Sequence, residues 1–406
     1  MFSAADQQWM DRALALARRG LRSTTPNPRV GCVLVSAAGT LVGEAWHQRA
    51  GEAHAEVHAL RAAGEQARGS TAYVTLEPCA HFGRTPPCSN ALIDAGVVRV
   101  VVAMEDPNPL VAGRGLERLR EAGIEVRCGL LADEARELNL GFVSRMIRGL
   151  PWVRLKVAAS LDGRTALPDG RSQWITGAAA RADGHAWRAR ACAILTGIGT
   201  VRDDDPQLTV RDLPENDGLQ TGSQIGQPIR QPLRVLIDSR LEVDPGAKLV
   251  RAGGLLLAHA LDEDWLVTGP LADKARLLQD HGVELWSSPT LSSSSSSASA
   301  SASASASLAP PGKVDLGALL AELARRGVNE LHVEAGAGLN GSLVREARVD
   351  ELLVYLAPAL LGDSRAMFNL EPPETLESAK RLVFHEMVKV GDDLRILARF
   401  KQNEAK

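Results

Sequence analysis

His54-Ala55-Glu56, Pro78-Cys79 and Pro87-Cys88 are the stretches whose residue types and spacing carry chemistry. Zinc takes neutral imidazole and thiolate ligands, and a catalytic zinc keeps its fourth position for water. His54, Cys79 and Cys88 supply three such ligands. Glu56, two residues after the histidine, is left free to move protons. His58 stands at i+4 from His54 and offers a rival ligand. With both cysteines, however, it would close a four-coordinate structural site and leave no place for water. His81 is read as reaching a substrate pocket rather than the metal, and Cys32, Cys128 and Cys192 as core thiols.

The elements that must position these groups follow from the hydrophobic pattern. Residues 3–20 read as an amphipathic helix with a capping-box start at Ser3 and Asp6. Strands are expected at Val30–Val35, Leu41–Val42, Tyr73–Leu76, Val97–Ala103 and Ile124–Val126, and helices at 54–63, 89–96, 113–122 and 133–147. His54 therefore opens a helix, Cys79 directly follows a strand, and Cys88 comes nine residues later, so the ligands converge from element ends. Strands alternating with helices argue for a three-layer α/β/α domain over residues 1–148. Gly149-Leu150-Pro151 is the boundary, and a second α/β domain spans 151–402. Its strands are expected at Val153–Ala158, Ala193–Thr196, Leu233–Asp238, Gly254–Ala258, Glu330–Glu334 and Glu351–Leu356, and its helices near 177–190, 315–326 and 341–347. Residues 212–231 read as a loop. The Ser/Ala run within 287–313 buries too little apolar surface to order itself and reads as a disordered insertion.

Composition narrows the function classes. At 406 residues the chain is long enough for two cores, and a net charge of −3 argues against a generally basic nucleic-acid or membrane surface. No apolar run approaches the roughly 18 residues of a membrane span. The first eleven residues lack a secretion pattern, and five cysteines in so long a chain suit reduced thiols, so a cytoplasmic location is expected. The order H-x-E, P-C, C is that of zinc deaminases acting on nucleobases: zinc acidifies a water, and the carboxylate moves its proton to the departing ammonia. A zinc-stabilised nucleotide-binding module without chemistry is the competing class, and Glu56 argues against it, since a structural zinc needs no free carboxylate.

Thr25-Pro26-Asn27-Pro28-Arg29-Val30-Gly31, the His47…Gly51…His54-Ala55-Glu56 run, Glu77 through Cys88, and Asp106-Pro107-Asn108-Pro109 resemble the bifunctional riboflavin-biosynthesis deaminase/reductase family. So do Lys156 through Gly163, Trp174-Ile175-Thr176 and Gly197 through Val201. The resemblance implies a cytidine-deaminase-like N-terminal domain and a dihydrofolate-reductase-like C-terminal domain. The first would deaminate a diamino-pyrimidinone ribosylamino phosphate, with Zn2+ at His54, Cys79 and Cys88 and with Asn27, His47 and His81 toward substrate. The second would reduce the ribosyl group to ribityl with NADPH. Retention of only the first activity, with the second domain a scaffold, is a further alternative. Self-association through the reductase domain is also implied.

For the reductase, the resemblance places Ala158, Trp174, Thr200, Asp204 and Ser239 along the dinucleotide, and Ser172, Arg188, Leu208, Arg211 and Glu334 along the substrate. The two arginines suit a phosphate by bidentate pairing. Lys156 shares a strand face with Ala158 and is expected in the same pocket. Gly336-Ala337-Gly338-Leu339-Asn340-Gly341 is formally G-x-G-x-x-G between a strand and a helix. The pattern also fits a tight turn with no ligand, and it comes too late in the domain for a Rossmann fingerprint. The resemblance makes Gly336 to Ser342 a dinucleotide-binding loop, and Asp204 is the candidate for handling the proton.

Overall fold

The computed structural model describes residues 1–80, 86–109, 111–211, 213, 229–288 and 312–401. It has two compact units, one built on Met1–Leu150 and the other on Pro151–Pro214, Gln231–Arg326 and Glu330–Lys406. His81 and nearly all of the 212–231 and 287–313 segments lie outside the described residues.

In the first unit, α1 (Ala4–Arg18) leads to β1 (Gly31–Val35), β2 (Leu41–Trp46), α2 (Ala55–Ala63), β3 (Thr71–Val74), α3 (Cys88–Asp94) and β4 (Arg99–Val102). After them come α4 (Arg114–Glu121), β5 (Glu125–Cys128), α5 (Ala132–Leu138) and α6 (Leu140–Arg148). The sheet runs β2-β1-β3-β4-β5, with β1 antiparallel to both neighbours and β3, β4 and β5 parallel. Two glycines set the layers. A Cβ on Gly31 would lie 2.0 Å from the Ala13 carbonyl of α1, and one on Gly43 would lie 2.4 Å from the Ala59 carbonyl of α2. Gly43 pairs with Leu34, three residues along β1 from Gly31, so the glycines face opposite sides and the two helices cover opposite faces. The capping box of α1 forms as the sequence suggests, and Asp6 also accepts from Arg99 at 2.7 Å and Tyr73 at 2.8 Å. The Arg99 guanidinium holds this carboxyl far below the usual carboxylate range.

The helix expected over 133–147 is two helices, broken at Asn139 (φ −118°, ψ 22°). The reason is a tertiary bond: the Asn139 side chain accepts from the Arg29 N–H at 2.8 Å and donates to the Arg29 carbonyl at 3.0 Å. Cys128 is half-buried rather than core, whereas Cys32 and Cys192 are buried.

The second unit holds β6 (Trp152–Ser160), β7 (Arg164–Ala166), α7 (Ala178–Arg190), β8 (Ala193–Gly197), α8 (Ile198–Asp204), β9 (Leu233–Ile237), α9 (Lys248–Arg251) and β10 (Leu255–His259). Then come α10 (Glu263–Val267), α11 (Ala272–Asp280), β11 (Val283–Ser287), α12 (Leu316–Arg325), β12 (Glu330–Val333), α13 (Ala337–Arg345), β13 (Glu351–Ala357), β14 (Arg365–Ala366), β15 (Leu382–Val390) and β16 (Asp393–Phe400). Nine strands form one sheet, β11-β10-β9-β8-β12-β6-β13-β16-β15, parallel up to β13 and antiparallel beyond it. The pattern reading finds the six buried strands and misses β11 and the β15–β16 hairpin. In the edge strand β15, Val383, Phe384 and Met387 are exposed, so its side chains do not alternate as a half-buried strand's do. Among the described residues no helix is long and apolar enough to cross a membrane.

Replacing Asn139 by alanine removes the side chain that bonds both backbone groups of Arg29. A loss of about 1–3 kcal/mol is expected, seen as a lower urea midpoint.

Candidate functional site

In the first unit the segment leaving β3 meets the first turns of α2 and α3. His54 is the N-cap of α2 and Cys88 the first residue of α3, and Cys79 lies on the turn beyond β3. His54 Nδ1 is 3.7 Å from Cys79 Sγ and 3.2 Å from Cys88 Sγ, and the three donor atoms lie within 4.8 Å of one another. A tetrahedral zinc with N and S ligands spaces its donor atoms about 3.5–3.8 Å apart, so the set fits that ion. His58, one turn along α2, lies outside this donor cluster.

The thiols differ in surroundings. The neighbouring Cys88 thiol, His54 and the Cys88 backbone N–H, which points at Cys79 Sγ from 3.3 Å, together bring the Cys79 thiol down to about 4. Cys88, beside Cys79 and buried, is pushed up. Contact with Cys79 raises His54. A divalent cation binding here displaces those protons. Ser89, fully buried, donates from its N–H and hydroxyl to the Cys79 carbonyl at 3.2 and 3.1 Å.

Glu56 sits in the first turn of α2, 3% exposed, and its Oε2 has no hydrogen-bond partner among the described residues. Burial pushes its carboxyl up. An unpartnered buried carboxylate oxygen is costly unless something polar meets it, and this one lies in the first turn of the helix that His54 caps. His47 and Asn27 meet each other: His47 Nε2 accepts from Asn27 Nδ2 at 3.1 Å, and His47 Nδ1 donates to the Ala53 carbonyl at 3.1 Å. Burial lowers His47 to about 4, so the neutral ring keeps this tautomer. Both its nitrogens are thereby engaged within the chain, just before His54.

In the second unit a cleft of about 1800 Å³ opens beside the carboxyl ends of β6, β8, β9 and β12. Lys156, Ala158, Ser172, Trp174, Arg188, Thr200, Asp204, Leu208, Arg211, Ser239 and Glu334 all line it, as do Gly336, Ala337, Gly338, Leu339 and Ser342. Asn340 and Gly341 do not. Residues 337–345 are helix rather than loop, so the expected binding loop is the start of α13 and only one of its faces meets the cleft. Asn340 is buried and donates to the Met367 carbonyl at 3.1 Å, and a Cβ on Gly341 would lie 2.1 Å from the Asn369 carbonyl.

Arg188 is also not an open phosphate clamp. Its guanidinium is bidentate to Glu334, at 2.5 and 2.8 Å. Burial, which opposes ionisation of Glu334, is outweighed by Arg188, Lys156 and His332, and its carboxyl stays well below the usual range. Burial pushes Lys156 down, while Glu334 pushes it up. Asp204 closes α8 and accepts from the Ser172 hydroxyl at 3.2 Å. Trp174, 69% exposed, stacks under Arg181 at 4.4 Å. Sequence reasoning missed His332, whose Nε2 is 3.2 Å from Glu334 Oε1, and Glu77, a buried carboxylate two residues before Cys79. Period-two spacing from Glu334 offered a signal for His332; nothing in the spacing marks Glu77 as buried.

A metal-binding deaminase fold followed by a cleft-bearing α/β reductase fold defines the class. Residues 3–104 match the cytidine and deoxycytidylate deaminase zinc-binding region, and residues 151–396 match the RibD C-terminal domain. The chain belongs to the RibD family of bifunctional riboflavin-biosynthesis deaminase/reductases. It is 47% identical to the riboflavin biosynthesis protein RibD of Escherichia coli over 96% of this chain and 98% of that one. Its identity to the Haemophilus influenzae RibD is 45%, over 97% of each chain. The solved structure of Acinetobacter baumannii RibD superposes with a TM-score of 0.82 at 42% identity, covering 98% of this chain and 99% of that one. A Thermotoga maritima diaminohydroxyphosphoribosylaminopyrimidine deaminase/5-amino-6-(5-phosphoribosylamino)uracil reductase does so with 0.77 at 28% identity, over 98% and 99%.

Arg188→Ala leaves the mostly buried Glu334 without its bidentate partner. Removing one partner of such a pair costs about 3–5 kcal/mol when fully buried; here, with both side chains about 15% exposed, the loss should fall at or below the low end. Chemical denaturation checks it, and adding Glu334→Gln should restore part of the loss.

Proposed function

We propose that the first unit hydrolyses the ring amine of 2,5-diamino-6-(ribosylamino)-4(3H)-pyrimidinone 5'-phosphate and that the second reduces the ribosyl chain of the product to ribityl with NADPH. The observation that carries the reading is the convergence of His54, Cys79 and Cys88 beside the buried, unpartnered Glu56 oxygen. Zinc held by these three residues supplies the Lewis acidity that makes a water reactive near neutral pH. Glu56 takes that water's proton and returns it to the leaving ammonia. The Cys88 N–H and Ser89 hold the Cys79 turn in place. The engaged pair Asn27 and His47 lies against His54, with the two imidazole rings 5.4 Å apart, and the remaining edge of Asn27 is assigned to the substrate ring.

In the second unit, NADPH supplies hydride. Gly336 and the first turn of α13, with Thr200, Ser239 and Ala158, form the wall along which the dinucleotide lies. Glu334, fixed by Arg188 and flanked by Lys156, orients the ribosyl hydroxyls, and Arg211 on the rim takes the phosphate. Asp204, tied to Ser172, handles the proton. The exposed Val383, Phe384 and Met387 of edge strand β15 support self-association through this unit. The free thiols support a reducing, cytoplasmic location.

Product mass tests the reading. Zinc-loaded protein should raise substrate mass by roughly one unit on exchange of amino for oxo, and added NADPH by roughly two more. The first step alone would leave the second unit a scaffold, and neither step, with zinc bound, would leave a binding module. Glu56→Gln should abolish the first step while zinc stoichiometry stays at the wild-type level, whereas Cys79→Ala should lose both.

A further inference from the structure

We propose that Glu77 is a positioning residue of the deaminase, which fixes the Cys79 turn by drawing four backbone N–H groups of a neighbouring loop and helix onto one buried carboxylate. The inference rests on the zinc-deaminase reading of the first unit.

Glu77 is 4% exposed and contacts no donor atom of the cluster directly. Its Oε2 accepts from Asp106 N at 3.1 Å and Gly113 N at 2.9 Å, and its Oε1 from Gly115 N at 2.8 Å and Leu116 N at 3.4 Å. The N-cap of α4 is Gly113, at φ 79°, which has no side chain to satisfy the free N–H groups of the helix start. Glu77 satisfies them from another element, and a negative charge at a helix N-terminus is favourable in itself. The Asp106 bond ties in the loop after β4. The Glu77 backbone N–H donates to the Met104 carbonyl at 3.0 Å, so both its main chain and its side chain hold to that exit.

A second contact reaches the turn independently. A Cβ added to Gly115 would lie 1.9 Å from the Pro78 carbonyl, so the start of α4 lies directly against the peptide group that joins Pro78 to Cys79. The turn is thus clamped on one side by Glu77 and Gly115, and on the other by Ser89 and the Cys88 N–H. A carboxylate has acceptor sites for all four of these bonds. A glutamine would turn its NH2 toward two of the four N–H groups. With the clamp released, Cys79 Sγ loses its fixed place relative to His54 Nδ1 and Cys88 Sγ.

The test compares Glu77→Gln and Gly115→Ala with Leu119→Ala, which removes buried packing from the same helix without touching the turn. The readouts are zinc affinity by chelator competition, the absorption spectrum of the cobalt(II)-loaded chain, deaminase kcat and KM, and melting temperature. Both clamp variants should bind zinc about 10–100-fold more weakly, as loss of outer-shell partners does, with an altered cobalt spectrum and a fall in kcat. Leu119→Ala should melt lower yet keep affinity and spectrum. Wild-type affinity and spectrum in Glu77→Gln would overturn the inference, as they would in Gly115→Ala should the glutamine variant fail to accumulate. If the wild-type chain itself shows no cobalt–thiolate band, it is the zinc reading that fails.

Discussion

Three donor atoms from three separate segments must meet within 4.8 Å, and the first unit is organised to keep them there. Each rides on an element end: the start of α2, the start of α3, and the turn after β3. Element ends carry unsatisfied backbone groups, so a site built from them holds its shape only if those groups find partners. Here they do. Ser89 serves the Cys79 carbonyl, Glu77 the start of α4, and Cys79 Sγ the Cys88 N–H. Gly31 and Gly43 then let α1 and α2 approach the sheet closely enough for α2 to deliver His54 and Glu56.

The second unit solves a different problem: keeping charge inside a sheet–helix interface. Arg154, 1% exposed, pairs with Glu330 at 3.0 Å and Glu351 at 2.5 Å, with its guanidinium 4.4 Å from the Trp187 ring. Arg190 and Arg399 complete the two carboxylates, at 2.8 and 3.0 Å. Buried ions persist only when every partner is present. Because side chains alternate along β6, the face that holds Arg154 also presents Lys156 and Ala158. The charged layer therefore runs from beneath α7 to the cleft, where Lys156, Glu334 and Arg188 form its cleft-side end. Fixed charges at the cleft are the open edge of a network in which Arg154 holds two buried carboxylates, which is a preorganised rather than an adaptable surface.

The sequence by itself determined the cluster chemistry, because H-x-E and the two Pro-Cys pairs occur at turns that local pattern already locates. Apolar runs such as Val97–Ala103 likewise marked the buried strands, since burial on both faces leaves no alternation to mistake. Local pattern was silent wherever a long-range bond decides the outcome. Asn139 breaks a helix in order to bridge Arg29, 110 positions away, and propensity carries no record of that partner. The start of α13 is helical where glycines suggested a loop, and close packing on Asn369 is the reason a glycine stands at 341. Arg188 reads as a free phosphate ligand until Glu334 is seen to hold its Nε and Nη2. Residue type and spacing state which groups can react. Which of them are already engaged, and which backbone amides hold them still, is set by contacts between distant segments, and only the tertiary structure decides it.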